Sequence, residues 1–441
     1  MSSSEAVVAG RAHLMVTQSA TILRRLYFLE RELVRLAAGW LPGTAHWEAK
    51  LLLPEVMWES SLLTRELRQR ILELRYPERR IAPDVDEPWV QLFRRCGDAP
   101  GAPAFLVAVA EVVKPALLVA YRRYQEVADR LDDGPTQYLL RHGIADLEAQ
   151  VVRLRAAAAA ALAAAPGEAA AARAWSKAVA AVFGAISADD LLQAPAPPSA
   201  DALVAAGRPL AISRHAARDP RFHRVAFAWP DRHTPGHPGE GIRLRARQAV
   251  HHVNEVWAAE MAAACLYDLA PAAPPEFLEE AARWCYDEIR HCRMGYERLR
   301  TWGFSDAEIP LDAFSYDAGA AADPLVRLGI IFYFEATYIH TKKERTIIFG
   351  AMGDRLSAHD MDFDWADELI HTHYGKRWLE AFLAQSGDAR SVADIKEEAR
   401  QAVLRLQARA TPEDQAAAAT IQARILLRMA TLAPDGGEAL P

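Results

Sequence analysis

The chain has 441 residues with a net charge of -7 at pH 7, and 51% of them are hydrophobic, which is typical of a folded protein with a large core and two or three domains. The acidic balance disfavours nucleic acid or an anionic membrane as a partner. Four cysteines without a C-x-x-C pair, no signal sequence and no apolar run of 18 residues predict a cytoplasmic protein whose partners are small molecules or proteins.

Residues 17–195 are predicted to form several long helices. Apolar residues recur there with a period of 3.6, Ala, Leu, Arg and Glu dominate, and glycine and proline fall mainly between the periodic segments. The same pattern returns later in the chain, so we predict an all-α fold with an N-terminal helical bundle over residues 1–195.

Residues 196–242 differ in composition from both flanking regions. They are rich in proline, glycine and histidine, which breaks helical periodicity and predicts a connection between domains, with a short strand at "RVAFAW". We interpret the histidines of this connection as solvated loop residues and exclude them from any site: His215, His223, His233 and His237.

Residues 243–441 are predicted to form a second helical domain. Four long helices can be drawn in it, A over 243–269, B over 276–302, C over 324–350 and D over 365–385, and one or two terminal helices follow. Thr411, Pro412 and Asp414 have the residue types that begin a helix, as N-cap, first-turn proline and N3 acid.

Helices B and D carry the same unusual motif. "DEIRH", Asp287–His291, and "DELIH", Asp367–His371, place a glutamate and a histidine three residues apart, on one helical face. In helix B that face also carries Trp284, Cys292 and Leu299, which predicts that the carboxylate and the imidazole point inward.

Each helical hairpin places a further carboxylate opposite its motif. Glu260 lies 14 residues before Pro274 and Glu288 lies 14 after it, so the two are predicted to be level across the turn between A and B. Glu335 and Glu368 are likewise symmetric about the turn between C and D. Both additional glutamates share faces with apolar residues, and this predicts that they too point inward.

Carboxylates gathered in an apolar core require compensating positive charge, which two divalent cations would supply. Carboxylate oxygens with one imidazole per metal favour iron or manganese over zinc. The predicted ligands, which would also be the catalytic residues, are Glu260, Glu288, His291, Glu335, Glu368 and His371.

Three neighbouring side chains have alternative interpretations. Glu255 competes with Glu260, but it lies 19 residues from Pro274 and about 140° round the helix, so we favour Glu260. Asp364 lies one turn before Glu368, and we interpret it as an acid that stabilises the N-terminal end of helix D. Tyr338 is either a core residue or a group that hydrogen-bonds a ligand or carries a radical.

The order Glu, Glu-x-x-His, Glu, Glu-x-x-His resembles the ferritin-like di-iron carboxylate proteins, which include ferritins, rubrerythrins, the small subunit of class I ribonucleotide reductase, and bacterial oxygenases and N-oxygenases. "HHVNEVWAAEM", "DEIRH", "YFEATY" and "DELIHTHYGKRW" look most like a bacterial ferritin-like family catalogued as a domain of unknown function. The resemblance implies a ferritin-like four-helix bundle of two antiparallel hairpins joined by a long crossover. It also implies that two of the glutamates bridge the metals.

The resemblance assigns roles outside the ligand set as well. Asp287 and Asp367 resemble the acids that orient the ligand histidines in that superfamily, although each is also four residues before its own histidine, which leaves an intrahelical contact open. In the first domain, Glu59 with Leu62 and Glu148 with Val151 resemble motifs whose histidines have been lost. Residues 17–195 are therefore a candidate degenerate ferritin-like bundle without a metal site.

The leading functional hypothesis is a non-haem di-iron oxygenase or oxidase, with an Fe/Fe or Mn/Fe pair, that activates dioxygen and hydroxylates, N-oxygenates or desaturates a small organic substrate, as in specialised metabolism. It would act as a monomer or homodimer and take electrons from an external donor such as a ferredoxin or a flavin reductase. The alternatives are a ferritin-like protein for metal storage or detoxification, and a non-catalytic helical scaffold whose inward groups form a metal-free network.

Overall fold

The computed structural model describes residues 13–74, 81–226 and 241–432, and 78% of the structure is helix and 2% is strand. The prediction of an all-α protein is therefore confirmed. His233 and His237 lie outside the described residues, as do Phe227, Ala228 and Trp229 of the predicted strand.

The chain divides into two compact units, whose boundaries differ from the predicted ones. The first consists of the described residues of Met1–Trp40 and Glu48–Ala211, and the second of those of Leu41–Trp47 and Ile212–Pro441. Most of the segment predicted as a connection thus belongs to one unit or the other, and Leu41–Trp47 belongs to the second unit although it comes early in the chain.

The first unit is built from helices of very different lengths. They are α1 (Val16–Trp40), α2 (Trp47–Glu73), α3 (Glu87–Arg95), α4 (Ala102–Ala108), α5 (Lys114–Val127), α6 (Gly134–Ala164), α7 (Ala169–Phe183), α8 (Ala188–Gln193) and α9 (Asp201–Ala206). The π-helical turn Val109–Val113 joins α4 to α5.

The stretch Ala102–Val127 is long and apolar enough to cross a membrane, although Glu111 and Lys114 interrupt its run of apolar residues. However, 61% of its most apolar window is buried within the protein, as expected of a core helix. Its apolar character is therefore weak evidence for a membrane segment.

The polar core of the first unit does not involve the glutamates singled out from the sequence. Glu59 pairs with Arg153 and Glu148 with Arg122, at half-buried and exposed positions. Buried polar pairs are formed by other residues, among them Lys114 Nζ and Glu30 Oε2, 2.9 Å apart.

The second unit contains the four predicted long helices, with one of them broken. Its elements are β1 (His223–Val225), α10 (Gly241–Asn254), α11 (Val256–Leu269), α12 (Pro275–Thr301), β2 (Pro310–Asp312), α13 (Phe314–Gly319), α14 (Pro324–Ala351), α15 (Arg355–Ser386), α16 (Val392–Gln407) and α17 (Pro412–Leu432). The predicted start of the last helix is confirmed, because the backbone N–H of Asp414 donates to Thr411 Oγ1 at 3.1 Å.

Two short strands and a side chain secure the broken helix. β1 pairs in parallel with β2, with His223 opposite Pro310 and Val225 opposite Asp312. The predicted helix A is divided at Glu255 into α10 and α11, and Asn254 next to the break receives a hydrogen bond from the backbone N–H of Asp312 on its Oδ1 at 2.8 Å. The expectation of one continuous helix A was wrong, because these contacts stabilise the break.

Two helical hairpins form the frame of the second unit. In the first, α12 packs against both α10 and α11, and in the second, α14 packs against α15. The hairpins contact each other through α11 with α14 and through α12 with α15. The two Glu-x-x-His motifs lie on α12 and α15, so this packing brings them together.

Candidate metal centre

The two histidines of the motifs are fully buried, and each pairs with the aspartate of the other motif. Nε2 of His291 lies 3.2 Å from Oδ2 of Asp367, and Nε2 of His371 lies 3.4 Å from Oδ2 of Asp287. The aspartates are therefore placed to orient the histidines, and the intrahelical alternative is wrong. A carboxylate on Nε2 leaves Nδ1 of each imidazole pointing inward.

Two arginines on α12 hold these aspartates from the outer side. Arg290 Nη1 lies 2.7 Å from Asp287 Oδ1 and 3.0 Å from Asp367 Oδ2, and Arg283 Nε lies 2.6 Å from Asp287 Oδ2. Burial by itself would raise the pKa of Asp287, but the hydrogen bond with His371 and the charge of Arg283 outweigh burial and lower it. The aspartate therefore remains an anion beside the imidazole.

On their inner side the histidines face a cluster of buried carboxylates. Nδ1 of His371 lies 3.2 Å from Oε1 of Glu288, and Nδ1 of His291 lies 3.6 Å from Oε2 of the same glutamate. Among the described residues, four overlapping groups offer ligand atoms within 4.8 Å of one another: Glu288, Glu335, Glu368 with His371; Glu255, Glu288 with His291; His252, Glu255 with Asp364; and His291, Asp364 with Glu368.

The structure brings five of the six predicted ligands into these groups and places Glu260 elsewhere. Glu260 is buried, but its Oε1 accepts a hydrogen bond from Arg218 Nη1 at 2.7 Å, and Arg218 also donates to the backbone oxygen of Asp312. Glu255 occupies the position predicted for Glu260, with Oε2 3.4 Å from Nδ1 of His291.

The position of the turn explains the wrong choice between the two glutamates. Because α11 ends at Leu269 and α12 begins at Pro275, the centre of the turn lies at Ala272 and not at Pro274. Residues equally far from the turn are level in an antiparallel hairpin, so a shift of two residues in its centre moves the partner of Glu288 by four, about one helical turn. The residue level with Glu288 is then Val256, next to Glu255 and four residues from Glu260.

Several donor atoms in the cluster lack hydrogen bonds. Within the described part of the chain, Oε2 of Glu255, Glu288 and Glu368 and Nδ1 of His291 and His371 are buried and have no hydrogen-bond partner. Buried polar atoms without partners are costly, and oxygen and imidazole nitrogen atoms in this number are the ligand set of first-row divalent metals. The residues present therefore fit metal ions.

Trp284 contacts the Oε1 atoms of two glutamates in the cluster. Trp284 Nε1 donates to Glu288 Oε1 at 3.1 Å and lies 3.3 Å from Glu335 Oε1. Its ring also stacks on that of His371, with centroids 5.2 Å apart. Trp284, read from the sequence as a core residue, thus also fixes the orientation of three groups in the cluster.

A buried lysine that was not predicted as a site residue from the sequence also contacts the cluster. Lys342 Nζ lies 2.6 Å from both Asp364 Oδ1 and Glu368 Oε1 and 3.4 Å from Glu255 Oε1. In Glu255 and Glu368 it contacts Oε1 and leaves Oε2, which has no hydrogen bond, on the other side of the carboxylate. Its signal in the sequence is its place on α14 seven residues after Glu335, which puts both on one face of the helix.

Asp364 and His252 also belong to the cluster. Asp364 is fully buried, with Oδ2 3.1 Å from Nε2 of His252, so the preferred interpretation of this acid as a helix-end charge was wrong. Burial would raise the pKa of Asp364, but the charges of Lys342 and His291 lower it. His252 precedes Glu255 by three residues. This spacing would have indicated His252 as a member of the site only if Glu255, and not Glu260, had been chosen as the ligand.

The charges of the cluster interact strongly. Burial and the charge of Glu288 raise the pKa of Glu335 to about 7. Burial opposes protonation of the histidines, but Asp364 and Asp367 raise the pKa of His291, and Asp287 and Glu288 raise that of His371. These carboxylates therefore favour the protonated form of both imidazoles, and a metal that binds Nδ1 competes with a proton for that atom.

A cavity of about 650 Å³ opens onto the cluster. Four of the candidate ligands reach its wall: Glu255, Glu288, Glu335 and Glu368. Tyr338 also lies in the wall, where its ring packs 6.2 Å from that of Phe334. A small organic molecule could therefore approach the carboxylates from this side.

Most of the second unit matches the model of one protein family. The model of the family described as "Protein of unknown function (DUF455)" matches residues 196–423, just over half of the chain. The chain belongs to the DUF455 family. The region matched to DUF455 includes both Glu-x-x-His motifs and all residues of the four ligand groups. No curated protein and no solved structure matches the chain.

Proposed function

We propose that the protein is a non-haem dinuclear iron enzyme of the ferritin-like type, which activates dioxygen to oxidise a small organic substrate. The observation that carries the proposal is the position of Glu288, whose carboxylate lies beside Nδ1 of both His291 and His371. Each histidine has further carboxylates of its own, so Glu288 is placed as a bridge between two metal subsites.

The ligand groups divide into two subsites. Glu255 and His291 would hold one ion, and Glu335, Glu368 and His371 the other, with Glu288 shared. Asp367 and Asp287 keep the Nε2–H tautomer of the two histidines, which leaves Nδ1 as the metal-binding atom. Lys342 holds the outer oxygens of Glu255 and Glu368, so that their Oε2 atoms remain directed at the subsites.

Charge balance supports two divalent ions. Five carboxylates meet in the cluster, those of Glu255, Glu288, Glu335, Asp364 and Glu368, and Lys342 supplies one positive charge. The remaining four negative charges equal the charge of two divalent cations, with neutral histidines. In a metal-free network, protonated histidines and the raised pKa of Glu335 offset only part of this negative charge, and uncompensated charge in the core is costly.

Two irons, or a manganese and an iron, would supply the redox chemistry with dioxygen, and electrons would come from an external donor such as a ferredoxin or a flavin reductase. The chain itself would bind the substrate in the cavity beside Glu255, Glu288, Glu335 and Glu368. Hydroxylation, N-oxygenation and desaturation are the outcomes that such a site supports.

The test is anaerobic loading of the metal-free protein with Fe²⁺, followed by metal analysis and exposure to dioxygen. We expect two equivalents of iron per chain and rapid oxygen uptake, which His371→Ala should abolish. His373→Ala, at an exposed position of the same helix, is the matched control and should behave as the wild type. Less than one equivalent of iron in the wild type, or no oxygen uptake by the loaded protein, would refute the proposal.

A further inference from the structure

The cavity beside the candidate metal centre has two unlike ends. At one end the rings of Trp257 and Phe334 lie 5.0 Å apart between centroids. At the other end Arg247 of α10 and Arg345 of α14 line the cavity, and Arg345 Nη1 donates to Gln248 Oε1 at 2.6 Å. An apolar end and a cationic end therefore face one continuous space.

The length of the cavity follows from α14, which is continuous between the two ends. Phe334 and Arg345 are 11 residues apart on this helix, so they are separated by roughly 16 Å along its axis. Glu335 and Lys342 lie between them. A ligand that fills the cavity from end to end would therefore pass beside the carboxylates of the cluster with its middle portion.

The cationic end favours an anion. Burial and, after it, the charge of Arg247 lower the pKa of Arg345 to about 10, while the charges of Asp364, Glu255 and Glu344 act in the opposite direction. Arg247 and Arg345 therefore lie close enough for their charges to interact. The other carboxylates of the lining are the candidate metal ligands and Asp312, and Asp312 interacts with the charge of Arg218. Carboxylates and phosphates are the groups that paired arginines bind best.

We propose that the substrate of this site is an elongated organic anion, with its carboxylate or phosphate bound by Arg247 and Arg345 and its apolar body against Trp257 and Phe334. The inference rests on the proposed function for the statement that this molecule is oxidised. Since the carboxylate cluster lies between the two ends, the oxidised atom is remote from the anionic group.

The test uses isothermal titration calorimetry of the full-length protein with 6-phenylhexanoate and its neutral amide. We expect the acid to bind roughly tenfold or more tightly than the amide, as charge-assisted hydrogen bonds provide. Arg247→Gln and Arg345→Gln should each reduce this preference toward unity. Arg243→Gln, at an exposed position of α10, is the matched control and should retain it. A titration with 6-phenylhexyl phosphate shows which anion the arginines prefer.

Equal affinities of the acid and the amide for the wild type, or an unchanged preference in both cavity variants, would overturn the inference. A thermal denaturation curve for each variant separates loss of the arginine from loss of the fold. Titrations of metal-free and Mn²⁺-loaded protein distinguish the two proposals. If no metal binds but the arginine-dependent preference persists, the proposed function fails and the anion site stands. If two metals bind but the acid and the amide bind equally, the anion site fails and the proposed function stands.

Discussion

Oδ2 of Asp367 lies 3.2 Å from Nε2 of His291, although the two residues belong to different motifs on different hairpins. The reciprocal pair, Asp287 with His371, is 3.4 Å apart. Each histidine is therefore oriented by the helix opposite its own. Because of this exchange, neither half of the cluster is complete until α12 and α15 have packed together.

Asp367→Asn should weaken metal binding without unfolding the protein. Asparagine keeps the size of the side chain but removes the negative charge that makes the imidazole of His291 a strong ligand, and we expect a loss of roughly tenfold to a hundredfold in affinity. Competition with a chelator for Mn²⁺ measures this loss. Asp362→Asn, at an exposed position of α15, is the control. An unchanged affinity in Asp367→Asn would contradict the assigned role.

Glu255→Gln should reduce the metal content of the protein, whereas Glu260→Gln should reduce its stability. Glu255→Gln removes a charged ligand beside His291, so we expect metal analysis to show one equivalent in place of two. Glu260→Gln should retain both equivalents but unfold at lower urea, because it leaves Arg218 buried without its carboxylate, a change that costs about 3–5 kcal/mol. Loss of metal from Glu260→Gln and not from Glu255→Gln would restore the assignment made from the sequence.

Lys342→Met should destabilise the metal-free protein more than the metal-loaded protein. Lys342 is buried among Glu255, Asp364 and Glu368, and no metal shares the charge compensation in the metal-free state. We expect a lower Tm that Mn²⁺ largely restores. Lys343→Met, at the exposed neighbouring position, is the control. A Tm loss of the same size with and without Mn²⁺ would show that Lys342 does not balance the charge of the cluster.

Gly295→Ala should disturb the broken helix next to the site. A Cβ atom at this position of α12 would lie 2.3 Å from Val253 N and 2.4 Å from Ala249 O, so α10 must move away. Overpacking of this kind costs about 1–3 kcal/mol, and the shift of α10 should also weaken metal binding through Glu255.

Gly350→Ala is the control, because a Cβ at that helical position meets nothing within 4 Å and alanine favours helix by about 0.5–1 kcal/mol. Urea unfolding measures both changes in stability. Equal stability of Gly295→Ala and the wild type would mean that the helices do not approach as closely as described.

Local patterns in the sequence predicted much of the second unit. The spacing of Glu288 with His291 and of Glu368 with His371 is a property of a single helix, so it could be recognised without knowing the tertiary structure. The turns between the helices were recognised from proline and glycine. By contrast, the break at Glu255 depends on contacts of Asn254 with β2, a strand that comes more than fifty residues later in the chain.

By itself the sequence determined the all-α character, the two repeated motifs and five of the side chains that meet in the cluster, since helix periodicity and the direction of a side chain are set by neighbours along the chain. Only the tertiary structure decided between Glu255 and Glu260, paired each aspartate with the opposite histidine, and brought Asp364, His252 and Lys342 into the cluster. The height of one helix relative to another depends on turn geometry and packing, and an error of two residues in a turn moves a partner by about one helical turn.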